Sequence, residues 1–254
     1  MTKQQPTSAP DPTAEAHGTN RFLSTIGGSV ASLGLVNGFL YLVGRALAHA
    51  TRGRCHLTKY YFVAQPVPEQ PLTAASQATQ TRVFRVLGIE DIISTFPRPP
   101  EVIARRFADG AVCFVAERHG SLIGFIWIKR ERYDEDTVRC EYVLDATRGI
   151  AWDFDAWVAP EFRMTRAFVQ LWEAANGYLR QCGCRWSGSR ISAFNPVSLA
   201  SHRRLGAIRL STGLFLSVGS AQLALFSCHP YVHLGFGAGS RPKLLIRPPE
   251  QGST

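Results

Sequence analysis

Several features that would assign a function at once are missing from this sequence. Six cysteines in 254 residues are too few for a disulfide scaffold. Cys182-Gly-Cys184 has no second ligand pair for zinc, and Cys228 to His233 provides only half a metal site. The chain has neither a serine-hydrolase elbow nor the glycine pattern of dinucleotide-binding proteins. We therefore expect reduced thiols, a cytoplasmic setting and no bound metal.

Acidic side chains are scarce toward the C-terminus. Residues 160–254 carry 11 basic and three acidic side chains, a net charge of +8, whereas residues 81–159 carry 11 basic and 13 acidic ones, a net charge of −2. This polarity suits an anionic ligand on the C-terminal part and a cationic ligand on the middle part. No motif for binding nucleic acid accompanies the basic charge, so we expect no nucleic-acid partner.

The sequence divides into five segments. Residues 1–20 are polar and predict a disordered leader. Residues 21–56 contain an uncharged run from Phe22 to Gly44 and predict an apolar or amphipathic helix. Three alternatives stay open for it: docking on the domain, peripheral membrane contact through residues 22–50, or a membrane span. The remaining segments are a strand and linker at 57–80, a main domain at 81–230 and a basic tail rich in proline and glycine at 231–254.

The main domain has the periodicity of a mixed α/β fold. An apolar stripe from Ala167 to Leu179 predicts its longest helix. Asn195-Pro196 predicts the start of a second helix, because asparagine caps a helix and proline fits its first position. By contrast, the acidic turn Tyr133-Asp-Glu-Asp-Thr is typical of a solvated loop.

Two carboxylates alternate with apolar residues in Trp152-Asp-Phe-Asp-Ala-Trp-Val. Regular strand alternation puts Asp153, Asp155 and Trp157 on one face, and Trp152, Phe154 and Val158 on the other. Two carboxylates on one face of a central strand are costly unless they meet water or a polar partner. This face is therefore a candidate acidic pocket.

Three pieces of the sequence resemble the GNAT family of acyl-CoA-dependent N-acetyltransferases. Val158-Ala-Pro-Glu-Phe-Arg163 is similar to the family's Val-x-Pro-x-Tyr-Arg, and residues 163–168 occupy its phosphate-loop position. Asn195 to Ala207 is similar to Asn-x-x-Ala-x-x-Leu-Tyr-x-x-Leu-Gly-Phe. The resemblance covers about residues 81–228. It implies a splayed, mostly antiparallel central sheet flanked by helices.

By this resemblance, acetyl-CoA or another acyl-CoA lies in the V between strands at 150–158 and 190–194. The phosphate loop nevertheless departs from Arg-Gly-x-Gly-x-Gly, since large residues replace all three glycines. Three alternatives follow: CoA binds with Arg166 compensating, the donor is an acyl-carrier protein as in N-acyl amino acid synthases of related fold, or the fold is an inactive binding module. The residues expected to hold the donor are Val158, Arg163, Met164, Thr165, Arg166, Ala167, Phe168 and Asn195.

The resemblance also implies catalytic roles. Asp153 matches the base position of the histone acetyltransferase branch, and His202 stands where the family has a tyrosine that protonates the leaving thiolate. Amine acylation needs such a base and such an acid. Asp153 has the alternative of a salt bridge to Arg139 or Arg148, and His202 that of a solvated helix position. The residues expected to bind the acceptor are Asp155, Trp157 and Glu141.

These observations predict an N-acyltransferase that moves an acyl group from acyl-CoA to a primary amine by direct attack. The acceptor is a small molecule or a protein amine. A carrier-protein donor near the membrane and a non-catalytic role remain the alternatives.

Overall fold

A computed structural model describes residues 32–70, 80–88, 96–163 and 165–249. The predicted leader at 1–20 and Met164 lie outside the described residues. The strands are β1 (Cys55–Pro66), β2 (Thr81–Val86), β3 (Val112–Arg118), β4 (Ser121–Lys129), β5 (Arg132–Asp134), β6 (Glu141–Leu144), β7 (Ile150–Val158), β8 (Trp186–Ser192), β9 (Ile208–Val218), β10 (Ala221–Phe226), β11 (Val232–Phe236) and β12 (Lys243–Ile246). The helices are α1 (Leu35–Ala50), α2 (Pro100–Ala108), α3 (Ala167–Gln181) and α4 (Pro196–Arg204).

The strands form two sheets. The larger has nine strands in the order β11-β10-β9-β1-β8-β7-β4-β3-β2, and the smaller has the order β12-β6-β5. Neighbours in the large sheet run antiparallel, apart from β7 and β8, which run parallel. The predicted fold class is confirmed: it is mixed α/β, with a mostly antiparallel central sheet flanked by helices.

The strand at 55–66 lies in the centre of the large sheet, although the sequence predicted it as a separate strand before the main domain. Tyr60 of β1 is opposite Ser192 of β8 on one side and Gly213 of β9 on the other. Residues 60–65 are all buried, as expected for an apolar run covered on both faces. The folded unit therefore begins before the predicted domain boundary at residue 81.

The segment predicted as a basic tail also contributes to both sheets. β11 extends the large sheet through β10, and β12 pairs with β6 of the small one. In β12, Leu244 and Ile246 are buried while Lys243 and Leu245 are exposed. The short apolar alternation in this stretch is therefore sufficient to form a strand despite the prolines and glycines around it.

Helices cover one face of the large sheet, and α3 and α4 cover its middle. Leu171 and Trp172 of α3 pack in one cluster with Ile126 of β4, and Leu199 of α4 packs against Tyr61 of β1. The periodic stripe predicted from Ala167 to Leu179 forms α3, since its buried positions include Ala167, Leu171, Trp172, Ala175 and Leu179. The opposite face packs on α2 and the small sheet.

The helix α1 docks on the same face, over β1. The Asn37 amide donates to the Tyr61 hydroxyl at 2.9 Å, and Tyr41 meets Phe194 with ring centroids 5.6 Å apart. Gly44 allows close approach, because a Cβ there would lie 3.2 Å from that of Leu57. The described part of this segment docks on the domain, and its residues 21–31 lie outside the described residues. In the described part of the chain, no helix has the length and hydropathy to cross a bilayer.

Candidate active site

The sheet opens where its two parallel strands separate. β7 and β8 pair only at Ile150–Trp186, Ala151–Ser187 and Trp152–Gly188. Beyond these pairs, the C-terminal parts of both strands border a cleft of about 380 Å³. Its wall includes Asp153 and Asp155 of β7, Arg190 of β8 and His202 of α4. The V expected between these two strands is present, and it brings the two predicted catalytic residues together.

Asp153 is a buried carboxylate held by two serines of β8. Only 4% of the residue is exposed, Ser187 donates a hydrogen bond to one of its oxygens at 2.7 Å, and Ser189 donates to the other. Burial raises the pKa of Asp153, while His202 and the two serines act in the opposite direction by favouring the carboxylate. A carboxylate with a raised pKa is suited to accept a proton near neutral pH.

The arginines considered as partners of Asp153 bind elsewhere. The Arg139 guanidinium donates to the Gly235 carbonyl at 3.2 Å, and Arg148 lies 3.7 Å from Asp145. Asp153 therefore owes its position to the serine hydroxyls rather than to a salt bridge.

His202 is buried, so the alternative of a solvated helix histidine is wrong. The residue is 7% exposed, and its ring meets the edge of Trp172 with centroids 5.7 Å apart. Its helix begins as predicted: the Ser198 amide donates to the Asn195 side chain at 3.1 Å, and Pro196 occupies the first position. Burial lowers the pKa of His202, and the nearby Asp153 carboxylate opposes this shift. The direction favours a neutral imidazole.

A β-bulge breaks the alternation expected for β7. Phe154 is opposite Trp127 of β4 and Trp157 is opposite Phe125, so Asp155 and Ala156 share one position of the partner strand. Asp155 has a φ of 48°, a left-handed conformation that aspartate tolerates better than most residues. The prediction that Asp153, Asp155 and Trp157 share one face is therefore wrong. Trp157 instead stacks on Phe125 with ring centroids 5.5 Å apart.

The Asp155 carboxylate is bound by two arginines, neither of which is predicted from the sequence as a site residue. Nε of Arg98 and Nη1 of Arg106 donate to the same oxygen at 2.8 and 2.6 Å, and Arg98 also reaches the other oxygen. The Arg106 guanidinium lies over Trp127, 5.2 Å from the ring centroid. With both oxygens bound, Asp155 anchors α2 and the segment before it to β7. Both oxygens of the Asp155 carboxylate are thus already bonded to guanidinium groups.

The acidic turn after β5 is part of the site, contrary to the expectation of a solvated loop. The Glu135 side chain is fully buried and forms an ion pair with Arg190 at 2.7 Å. Tyr133 donates to Asp136 at 3.0 Å. The turn lines a second cavity of about 340 Å³, which shares Arg106 and Tyr133 with the cleft. A long-range pairing such as Glu135 with Arg190 leaves no local signal in the sequence.

The acceptor residues predicted from the sequence are only partly at the cleft. Glu141 lies in β6, 3.7 Å from the Lys243 ammonium, and is not among the residues that line either cavity. In the cleft itself, the carboxylates of Asp136, Asp153 and Asp155 are matched by an equal number of guanidinium groups. The expected acidic pocket is therefore lined by charges of both signs; its guanidinium groups are those of Arg98, Arg106 and Arg190, the last of which is also paired with Glu135.

The segment after β7 presents basic side chains at the start of α3. Arg163 donates through Nε to the Val158 carbonyl at 3.2 Å, and the Thr165 hydroxyl accepts from the Ala167 amide at 3.2 Å. Arg163, Thr165 and Arg166 are exposed, and the first turn of α3 has no acidic residue. Phe168 packs edge-on against Trp172, with ring centroids 6.2 Å apart. It contributes to the core, so its bulk is directed away from the exposed loop.

Within residues 32–70, 80–88, 96–163 and 165–249, no three His, Cys, Asp or Glu side chains are grouped to hold an ion.

Comparisons with known proteins give similarity to solved structures alone. No family model and no curated protein matches the chain. A conserved protein of unknown function from Staphylococcus epidermidis is 12% identical over 68% of this chain and 66% of its own, with a TM-score of 0.44. A putative GNAT-family acetyltransferase from Novosphingobium aromaticivorans is 12% identical over 64% of each chain, with a TM-score of 0.41.

A tandem GNAT protein of the clavulanic acid biosynthesis pathway is 17% identical, over 68% of this chain and 57% of its own, with a TM-score of 0.43. The chain spans less than two thirds of the length of each of these three structures. Similarity at this level carries no argument for a shared activity. The functional conclusion therefore depends on the cleft.

Proposed function

We propose that this protein is an acyltransferase that moves an acyl group from acyl-CoA to a primary amine. One observation carries the proposal: Asp153 and His202, both buried and each perturbing the pKa of the other, border the cleft where β7 and β8 separate. Buried titratable groups with shifted pKa values in a cleft are typical of catalytic sites.

Asp153 is the base in this proposal. It takes a proton from the acceptor ammonium, and the neutral nitrogen attacks the thioester carbonyl carbon. The C–N bond forms, the C–S bond breaks, and the second proton lost by the amine leaves to solvent. Because its pKa is raised, Asp153 binds a proton more strongly than an ordinary carboxylate, which suits a general base that works near neutral pH.

His202 acts on the leaving group. Because burial lowers its pKa, a neutral ring is the form available to react. A neutral imidazole stabilises the developing thiolate by donating its ring N–H hydrogen bond, and the released thiolate then takes a proton from solvent. As a proton donor, the neutral imidazole is weaker than the acid expected at this position from the family's tyrosine.

The exposed end of β7 and the start of α3 are suited to the phosphates of CoA. The positive end of the helix dipole points there, and Arg163 and Arg166 add two exposed cations. CoA supplies the thioester; the chain supplies charge and position. The departure from the glycine-rich loop is thus offset by arginine side chains rather than by close backbone approach.

The charge balance of the cleft bears on the acceptor. Equal numbers of carboxylates and guanidinium groups do not favour a polycation. They suit an amine that also carries an anion, such as an amino acid. Arg190 keeps part of its side chain exposed at the cleft, at 29%, while its Nε and Nη2 bind Glu135.

Calorimetry and an acyl-transfer assay test the proposal together. We expect the full-length protein to bind acetyl-CoA and to acylate amino acids faster than the matching decarboxylated amines. If acetyl-CoA does not bind, CoA is removed as the donor and acylated carrier protein is the next probe. Equal rates for amino acids and decarboxylated amines would contradict the acceptor class while leaving the reaction in place.

Ser189→Ala is expected to move the acidic limb of the kcat/KM profile to higher pH. The Ser189 hydroxyl favours the ionised form of Asp153, so its loss raises the pKa of the base, and the active carboxylate then forms only at higher pH. Ser201→Ala is the matched control, because that hydroxyl binds the Val197 carbonyl on the exposed side of α4. An unmoved limb in Ser189→Ala would show that Asp153 is not the titrating base.

A further inference from the structure

One end of the large sheet exposes an apolar surface on the face that carries the helices. The outward positions of β10, of β11 and of β9 from Leu214 to Val218 are apolar, whereas Thr212 and Arg209 follow on the same face of β9 beside Tyr61. In the described part of the chain no element covers these apolar positions. Val232, Leu234 and Phe236 of β11 are 60%, 59% and 68% exposed, and Val218 and Leu225 are 50% and 38% exposed. We call this surface, with Phe39 of α1, the bare face. Single exposed apolar residues are common, whereas a contiguous patch marks an interaction site.

The helix α1 lies on the same side of the sheet as the bare face. It lies over Leu57 of β1, and Leu57 is opposite Leu216 of β9 in the ladder, so helix and bare strands are on the same side of the sheet. Phe39 is 65% exposed, although α1 is docked. Leu35 and Val36, at the start of the helix, are also exposed. The helix thus presents apolar side chains to solvent on the same side of the sheet as the bare strands rather than burying all of them.

The chain segments that form this surface carry no acidic side chain. No aspartate or glutamate occurs in residues 16–68 or 174–249, which include α1, β1, α4 and strands β8 to β12. Arg52 and Arg54 are exposed in the turn after α1. The Arg54 carbonyl accepts from the Gly219 amide at 3.0 Å, which fixes this turn beside the β9–β10 hairpin. The rim of the bare face is therefore cationic at this hairpin, where Arg52 and Arg54 lie.

We propose that the bare face docks on a membrane surface that contains anionic lipids. Aromatic and aliphatic side chains enter the boundary between headgroups and acyl chains, while the arginines of the rim meet lipid phosphates. A second copy of the chain fits less well, because a symmetric contact through this face brings two cationic rims together. The inference uses residues outside the cleft and does not depend on the proposed acyl transfer.

Vesicle sedimentation of the full-length protein tests this docking. We expect binding to vesicles of phosphatidylcholine with phosphatidylglycerol, little binding to phosphatidylcholine alone, and release at about 1 M NaCl, where the Debye length is about 3 Å. The double variant Leu234→Asp/Phe236→Asp should bind at least about tenfold more weakly, since it loses two apolar groups that enter the interface. Leu245→Asp is the matched control, because Leu245 is 42% exposed on the small sheet.

Wild-type protein that does not bind the anionic vesicles would overturn the proposal, and so would either of two further results. The first is anionic-vesicle binding that is unchanged in the double variant while circular dichroism shows it folded. The second is a wild-type dimer, detected by light scattering, that ignores vesicles and dissociates in the double variant; a second copy then covers the bare face. Phe39→Asp extends the test to α1, and it should weaken vesicle binding in the same direction.

Discussion

Asp153→Asn is expected to lower the rate of acyl transfer by about 10²–10⁴-fold, the usual range for removing a general base. The amide cannot accept the ammonium proton. Acetyl-CoA binding should be retained, because Asp153 lies between Ser187 and Ser189, away from the exposed Arg163 and Arg166. Steady-state kinetics with calorimetry on the same preparations gives both quantities.

Stability measurements separate this loss from misfolding. Because burial raises the pKa of Asp153, the folded state binds its proton more tightly than the unfolded state does, and the stability from this group decreases as pH rises past the unfolded pKa through the folded one. At neutral pH the asparagine variant should therefore be as stable as wild type or more stable. Asp145→Asn, in a turn beside Arg148, is the matched control and should keep full activity. Full activity in Asp153→Asn would refute its role as the base.

Asp155→Asn is expected to cost about 3 kcal/mol of unfolding free energy, because it leaves a buried guanidinium without its main partner. Arg106 is 8% exposed, and of its ion pairs only the longer one to Asp136, at 3.3 Å, would remain. Asparagine accepts the left-handed φ at this position, so the variant reports charge rather than backbone strain. For a chain of this size, the midpoint of thermal unfolding should fall by about 6–12 °C.

The control for Asp155 is an exposed ion pair of the same types. Asp134 lies 3.0 Å from Arg241 with 57% of its side chain exposed, and Asp134→Asn should change stability by less than about 1 kcal/mol. Urea unfolding of both variants gives the comparison. Equal small effects in both would show that the Asp155 network does not hold α2 to the sheet.

Local patterns in the sequence were sufficient for most elements. The stripe of α3 and the Asn195 cap of α4 each depend on neighbours within one or two helical turns, and both are confirmed. The bulge at Asp155 was missed because alternation assumes an uninterrupted ladder, and the interruption is set by pairing with β4. One extra residue moved Trp157 to the other face.

The ion pairs of the site could not be predicted from local sequence patterns, because their partners are far apart in the chain. Arg98 and Arg106 reach Asp155 across a long stretch of chain, and Arg190 reaches Glu135 from a different strand. Only the fold brings them together. Asp153 and His202 were predicted because they match the positions of the base and the acid in the family they resemble. The structure adds that both are buried and that both line the same cleft.

The central position of β1 has a consequence for the order of events during synthesis. Its partners, β8 and β9, begin about half of the sequence or more after β1 ends. A ribosome therefore releases this apolar strand long before either neighbour exists, while the β2–β4 meander can already pair locally. The sheet can be completed only after β8 and β9 have been synthesised. Until then β1 is an exposed apolar strand, which is the kind of segment that chaperones bind.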